Sequence, residues 1–148
     1  DVEGRKVSDA YCGAGLHAVR LAERGASVVG IELDPEAVRA ARALCGDDVE
    51  IIEARVEHAL ADHLPADLVV VNPPRGGLDE AAAATLGSTP PRRMLYISCD
   101  PATLARDLQR LGPTVRLISL KCFDLFPQTA HVESVALLEF ESPAGGQL

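Results

Sequence analysis

A chain of 148 residues with 47% hydrophobic and 24% charged side chains has the size and apolar content of one globular domain with its own core. It contains no run of about 18 apolar residues to span a bilayer, and a formal charge of −8 is the wrong sign for a domain that grips a polyanion unaided. Its four cysteines, at 12, 45, 99 and 122, form no Cys-x-x-Cys pair, which argues against zinc or iron–sulfur ligation and leaves reduced, unpaired thiols as the expectation.

The opening Asp1-Val2-Glu3-Gly4-Arg5-Lys6 has neither the apolar stretch of a signal peptide nor an initiator methionine, so we expect a cytoplasmic domain cut from a longer chain. From there, short β-rich apolar runs alternate with helical patterns, the signature of β-α-β units and a parallel sheet. The spacing predicts strands over Val7–Ala10, Ser27–Ile31, Val49–Glu53, Leu68–Val71, Met94–Ser98, Val115–Leu120 and Ser134–Phe140. Between them, a helix is predicted from Leu16 to Glu23, ending at a glycine cap, Gly25. Asp34-Pro35 and Asp100-Pro101 each set a capping carboxylate before a proline at the first helical position. The helices they open run to Gly46 and Gly112, and weaker helical patterns cover Val56–Ala61 and Asp79–Leu86. Cys122–Val132 has no helical period and contains Phe126-Pro127, so it reads as a loop joining two antiparallel strands. The expected architecture is a seven-stranded, mostly parallel sheet with one reversed strand near its edge and helices on both faces. The tail from Ser142 reads as disordered.

Charge is uneven along this order. Residues 1–74 carry 7 basic and 14 acidic side chains and residues 75–148 carry 7 and 8, so a polyanion would approach the second half.

Four strand ends carry the chemistry. Asp9-Ala10-Tyr11-Cys12-Gly13-Ala14-Gly15 leads from the first strand into the first helix, where glycines admit positive φ and let a ligand approach the backbone. Glu32 closes the second strand, where an acidic side chain accepts hydrogen bonds from ribose hydroxyls. Ala18 stands where a pyrophosphate-binding fingerprint has its third glycine, and the acidic Asp9 and Glu32 suit a cationic sulfonium better than phosphates. An adenosine ligand without pyrophosphate, such as S-adenosylmethionine, therefore fits best. Asn72-Pro73-Pro74-Arg75 ends the fourth strand in a rigid turn that either presents Asn72 to the crevice or is simply a stiff strand exit. Cys99 lies where the fifth strand stops and the Asp100-Pro101 helix starts, and a helix N-terminus stabilises a thiolate.

Taken together, Asp9-x-Tyr11-Cys12-Gly13-x-Gly15, Gly30-Ile31-Glu32, Asn72-Pro73-Pro74-Arg75-x-Gly77, Ser98-Cys99-Asp100-Pro101-x-Thr103-Leu104-Ala105-Arg106-Asp107 and Asp124-x-Phe126-Pro127-x-Thr129-x-His131-x-Glu133 run through the chain in order. On these motifs the chain resembles the catalytic domain of the RNA uracil-5-methyltransferases, within the class I S-adenosylmethionine-dependent methyltransferases. The resemblance implies a Rossmann-like catalytic domain over residues 1–141. It also implies RNA as substrate, methylated at carbon 5 of a uridine, with Cys99 as nucleophile and Glu133 as general base. Asp9, Tyr11, Gly13, Gly15, Glu32 and Asn72 would then face the cofactor, and Arg75, Phe123 and His131 the extruded base. Two of the last group have a plainer role open to them: Arg75 in a surface ion pair, His131 in loop hydrogen bonding. Phe126 can equally be core, Asp100 is most simply a helix cap, and Cys12, Cys45 and Cys122 pack as small hydrophobes.

Members of the family also have an N-terminal RNA-binding domain and a central domain that do not fit before Asp1. Arg55 occupies a place where many relatives carry an acidic residue facing the adenine. Two other readings stay open: a nitrogen methyltransferase using the Asn72-Pro73-Pro74-Arg75 turn, and a domain that binds cofactor but is inactive in isolation.

Overall fold

The computed structural model describes residues 1–125 and 132–141. Its twelve principal elements run β1 Lys6–Ala10, α1 Leu16–Ala22, β2 Ser27–Glu32, α2 Pro35–Cys45, β3 Val49–Glu53, α3 Val56–Ala59, β4 Leu68–Val71, α4 Glu80–Ser88, β5 Arg93–Ser98, α5 Pro101–Arg110, β6 Val115–Phe123 and β7 Glu133–Phe140. Seven strands form one sheet in the order β3-β2-β1-β4-β5-β7-β6. All neighbours from β3 to β5 are parallel, and β7 is antiparallel to both β5 and β6. The Rossmann-like architecture with one reversed strand next to an edge is therefore present as expected.

The reasons are local. Leu68-Val69-Val70-Val71 can be apolar throughout because both faces of β4 are covered. Val69 and Val71 join the core under α3, α4 and α5, while Val70 joins the core under α1 and α2. Asp34 accepts from the Glu36 amide at 3.1 Å, and Asp100 accepts from Ala102 and Thr103 at 2.9 and 3.2 Å, so both Asp-Pro pairs start helices as the sequence indicates.

Two boundaries differ. The weak helix at Val56 ends as α-helix at Ala59 and tightens into a 3-10 turn over Leu60–His63. β6 is longer than expected and runs to Phe123, so Cys122 and Phe123 belong to a strand and the connecting segment begins at Asp124. β6 is the edge strand, exposed along almost its whole length, and its register shifts between Leu117 and Ser119. An edge strand with such an irregularity shows no two-residue burial rhythm for the sequence to betray. For the same reason Cys122 is exposed, while Cys12 and Cys45 are buried as small hydrophobes. Phe126, His131 and the tail from Ser142 lie outside the described residues.

Gly30 shows how closely side chains from β3 and the turn after β1 close over β2. A Cβ there would meet Ile51 Cδ1 at 2.8 Å and Cys12 Sγ at 2.9 Å. We expect Gly30→Ala to cost about 1–3 kcal/mol in urea denaturation through overpacking. Adding Ile51→Val, which removes the obstructing methyl, should cost less than the sum of the two single changes.

Candidate active site

Parallel strands gather their outgoing turns at one end of the sheet, and strand order reverses between β1 and β4. A cavity of about 720 Å³ opens there, within the range of small-molecule sites. The turns after β1, β2, β3 and β4 all contribute to it, through Tyr11, Glu32 to Pro35, Ala54 to Glu57, and Pro74 with Gly76 to Glu80. Five of its lining side chains are carboxylates, Glu32, Asp34, Glu57, Asp79 and Glu80, against the guanidinium groups of Arg55 and Arg110. Such a wall favours a cationic ligand and disfavours phosphates.

Glu32 organises this end. Its carboxylate accepts from the amides of Gly13 at 2.9 Å, Leu33 at 2.7 Å and Asp34 at 2.8 Å, tying the glycine turn to the end of β2. A carboxylate has about four acceptor positions, so one remains for a hydroxyl. Tyr11 takes a positive φ of 61°, uncommon for a residue with a side chain. Burial pushes its phenol up to about 12, opposed by the Asp79 amide. Gly13 has φ 54°, and a Cβ there would meet nothing within 4 Å, so its face is open. Gly15 also has a packing reason to be bare: a Cβ there would strike Cys45 Sγ at 2.9 Å and Ala41. Its bareness lets α1 pack on α2.

Asp9 is fully buried on β1, and neither of its carboxylate oxygens has a hydrogen-bond partner among the described residues. Burial pushes the carboxyl up to about 7, with the Glu32 charge adding to the rise. The Ala18 amide faces it and opposes the shift without reaching hydrogen-bond geometry. An unmatched, fully buried carboxylate carries a cost that its protonation relieves. Burial also pushes the Cys12 thiol up to about 12 and raises that of Cys45, so neither is suited to act as a nucleophile.

The other half of the site follows β5. Ser98 Oγ donates to the Asp100 carbonyl at 2.8 Å and accepts from the Asp100 amide at 3.1 Å, bracketing Cys99 between them. Cys99 is partly exposed. Ser98 pairs with Ser134, and Glu133 pairs with Phe123. Continued by one residue, this register sets Cys99 opposite Glu133, and directly opposed residues of antiparallel strands lie about 4.5–5.5 Å apart at Cα. Asn72 leaves β4 between the two halves, its amide on the Ala10 carbonyl at 3.4 Å. Arg75 is exposed beyond it, and its carbonyl accepts from Thr103 Oγ1 at 3.2 Å. Cys99, Glu133, Phe123 and Asn72 thus share the carboxyl end of the sheet with the cavity without lining it.

Sequence reasoning passed over Glu57, which lines the cavity and pairs with Arg55 at 3.3 Å. This pair puts an acidic group beside the position that Arg55 takes from one. It also passed over Asp107, whose spacing on a helix says "core", although the residue is an acid.

Known proteins resemble the chain over the same span. A family model described as tRNA (Uracil-5-)-methyltransferase matches residues 54–141, and a general methyltransferase-domain model matches residues 7–86. An uncharacterized RNA methyltransferase of Bdellovibrio bacteriovorus is 39% identical over 93% of this chain and 38% of its own. The 23S rRNA (uracil(747)-C(5))-methyltransferase of Proteus mirabilis is 36% identical, with the same coverage of 93% and 38%. The crystal structure of the Pyrococcus abyssi tRNA (uracil-54, C5)-methyltransferase in complex with S-adenosyl-L-homocysteine superposes with a TM-score of 0.80 and 34% identity, over 93% of this chain and 35% of that one. The chain therefore spans little more than a third of the length of these relatives.

The Asp9 shift has a definite sign. Its folded-state pKa of about 7 lies above the ordinary 3.8, so the folded state keeps a proton that the unfolded state loses. Stability from this group declines as pH rises from about 4 to about 7 and is level above that. The full penalty is on the order of 4 kcal/mol at most. We expect Asp9→Asn to gain on the unaltered chain across that window, read as the difference between their urea unfolding free energies at successive pH values; a difference that does not vary with pH would contradict the burial argument.

Proposed function

Because this chain belongs to the tRNA (uracil-5-)-methyltransferase family, we propose that it is the part of an S-adenosylmethionine-dependent enzyme that methylates carbon 5 of a uridine in RNA. One observation carries the reading beyond the family: the register between β5 and β7 that sets Cys99 opposite Glu133, at the strand ends beside an acidic cavity. A nitrogen methyltransferase needs neither residue.

The cavity fits the cofactor. Its excess of carboxylates suits a sulfonium and an ammonium group, and Glu32 has an acceptor position left for ribose. Tyr11, Gly13, Glu32 and the Pro74–Glu80 turn would hold the adenosine, with Glu57 the acid nearest Arg55 for an exocyclic amine. When bound, S-adenosylmethionine supplies an electrophilic methyl group.

The chain's own residues supply the rest. Carbon 5 of uracil is a poor nucleophile. Addition of the Cys99 thiolate to carbon 6 breaks the 5,6 double bond and places its electron pair on carbon 5 as an enolate. Once carbon 5 carries the methyl group, it also carries a proton that must leave. The Glu133 carboxylate accepts that proton, the electron pair re-forms the double bond, and the carbon 6–sulfur bond breaks to return the thiolate. Phe123, beside Glu133 and 45% exposed, offers an aromatic face for the extruded base. Asn72 and Arg75 lie on the turn between cofactor and base. The net charge of −8 agrees with this division of labour, since RNA would be held by the regions of the relatives' length that this chain does not span.

In a protein of the relatives' full length, we expect Glu133→Gln to accumulate a covalent protein–RNA adduct that survives denaturing electrophoresis, and Cys99→Ala to form none and to lose methylation. Methylation by the Cys99→Ala protein would overturn the mechanism. In the chain itself, Glu32→Ala should weaken S-adenosylhomocysteine by about tenfold or more in calorimetric titration, the worth of hydrogen bonds to a charged group.

A further inference from the structure

Asp107 is fully buried in the middle of α5, and its contacts reach well beyond its own helix. Its Oδ2 accepts from the Tyr96 hydroxyl of β5 at 2.6 Å and from the Leu78 amide at 2.8 Å. Its Oδ1 accepts from Arg106 Nη2 at 2.8 Å and Nε at 3.1 Å. The same Arg106 Nη2 donates to the Gly76 carbonyl at 2.5 Å. Gly77, at φ 80°, lies flat on this assembly: a Cβ there would collide with the Asp107 carboxylate and the Thr103 methyl. Three consecutive residues of the turn after β4 are therefore fastened to one helical turn of α5, and all three line the cavity. The other end of α5 is the Asp100 cap that brackets Cys99.

We propose that the Arg106–Asp107 pair is a positioning element that latches the Gly76–Leu78 wall of the cofactor cavity to the helix that begins two residues after Cys99, so that cofactor and nucleophile are held by one rigid piece. The pair touches neither cofactor nor base; it acts through the turn. The planar guanidinium suits this work because its fork serves a carboxylate and a carbonyl at once, which an ammonium on a flexible stem cannot do as well. A role confined to stability would explain the Tyr96 bond but not why Arg106, 42% exposed, directs a donor at a carbonyl of the turn. This inference rests on the cofactor reading above for its consequence, though not for its geometry.

Arg106→Met tests it in the chain as it stands. The variant keeps the aliphatic stem and leaves Asp107 bonded to Tyr96 and Leu78, so the fold should survive. Without any ligand, we expect amide hydrogen exchange over residues 74–79 to quicken about tenfold while β5 stays protected, with a thermal midpoint within about 3 °C of the unaltered chain. S-Adenosylhomocysteine should bind about five- to twentyfold more weakly, and Arg106→Lys should recover only part of that loss. Unchanged exchange over 74–79 would overturn the latch. Faster exchange with unchanged affinity would overturn its link to the cofactor. If the unaltered chain failed to bind S-adenosylhomocysteine, the proposed function and that link would fall together, while the exchange result would still decide the latch.

Discussion

A carboxylate buried without water must be met by donors, and Asp107 finds them on three separate pieces of chain: β5, α5 and the turn after β4. Removing one partner of such a group leaves an uncompensated polar atom in a medium that solvates it poorly. The helix, the strand beneath it and the turn beside it therefore keep one arrangement. Packing alone would not impose this, because apolar contacts tolerate sliding that directed bonds do not. The core under α3, α4 and α5 supplies stability; Asp107 supplies a fixed relation between the turn and the helix.

That relation matters because the site is split. The cavity belongs to the turns after β1 through β4, whereas Cys99 follows β5 and Glu133 opens β7. A reaction between something held in the first half and something held in the second needs both halves in register to within a fraction of an ångström. Parallel strands bring their ends to the same edge of the sheet, and reversal of β7 brings the start of that strand there too, which is how Glu133 comes to face Cys99. The turn that begins at Asn72 crosses from one half to the other, and it is the turn that α5 grips.

Electrostatics sorts the ligands before any specific contact does. Carboxylates outnumber guanidinium groups on the cavity wall, which favours a cation. Asp9, on β1, has its carboxyl raised to about 7 by burial, so its ionisation costs folding free energy. The same excess of acid is the wrong sign for gripping a polyanion.

Much of this was legible in the amino-acid order alone. Both Asp-Pro caps, the buried run at β4, the seven strands, Glu32 at the end of β2 and Cys99 between a strand and a helix all rest on local rules with a short reach: capping, periodicity and turn chemistry. Those rules failed where neighbours distant in sequence decide. Lys121, Cys122 and Phe123 read as loop because an edge strand has no buried face to impose alternation. The packing role of Gly15 stayed hidden because nothing local reveals Cys45 and Ala41 behind it. Asp107 stood in a motif with no role of its own to read, and Glu57 was hidden behind Arg55. By itself the sequence determined the elements, their order and the residue types capable of the chemistry. Only the tertiary structure decided which of them meet, because hydrogen-bond partners such as Leu78 and Asp107 stand 29 residues apart and no local preference links them.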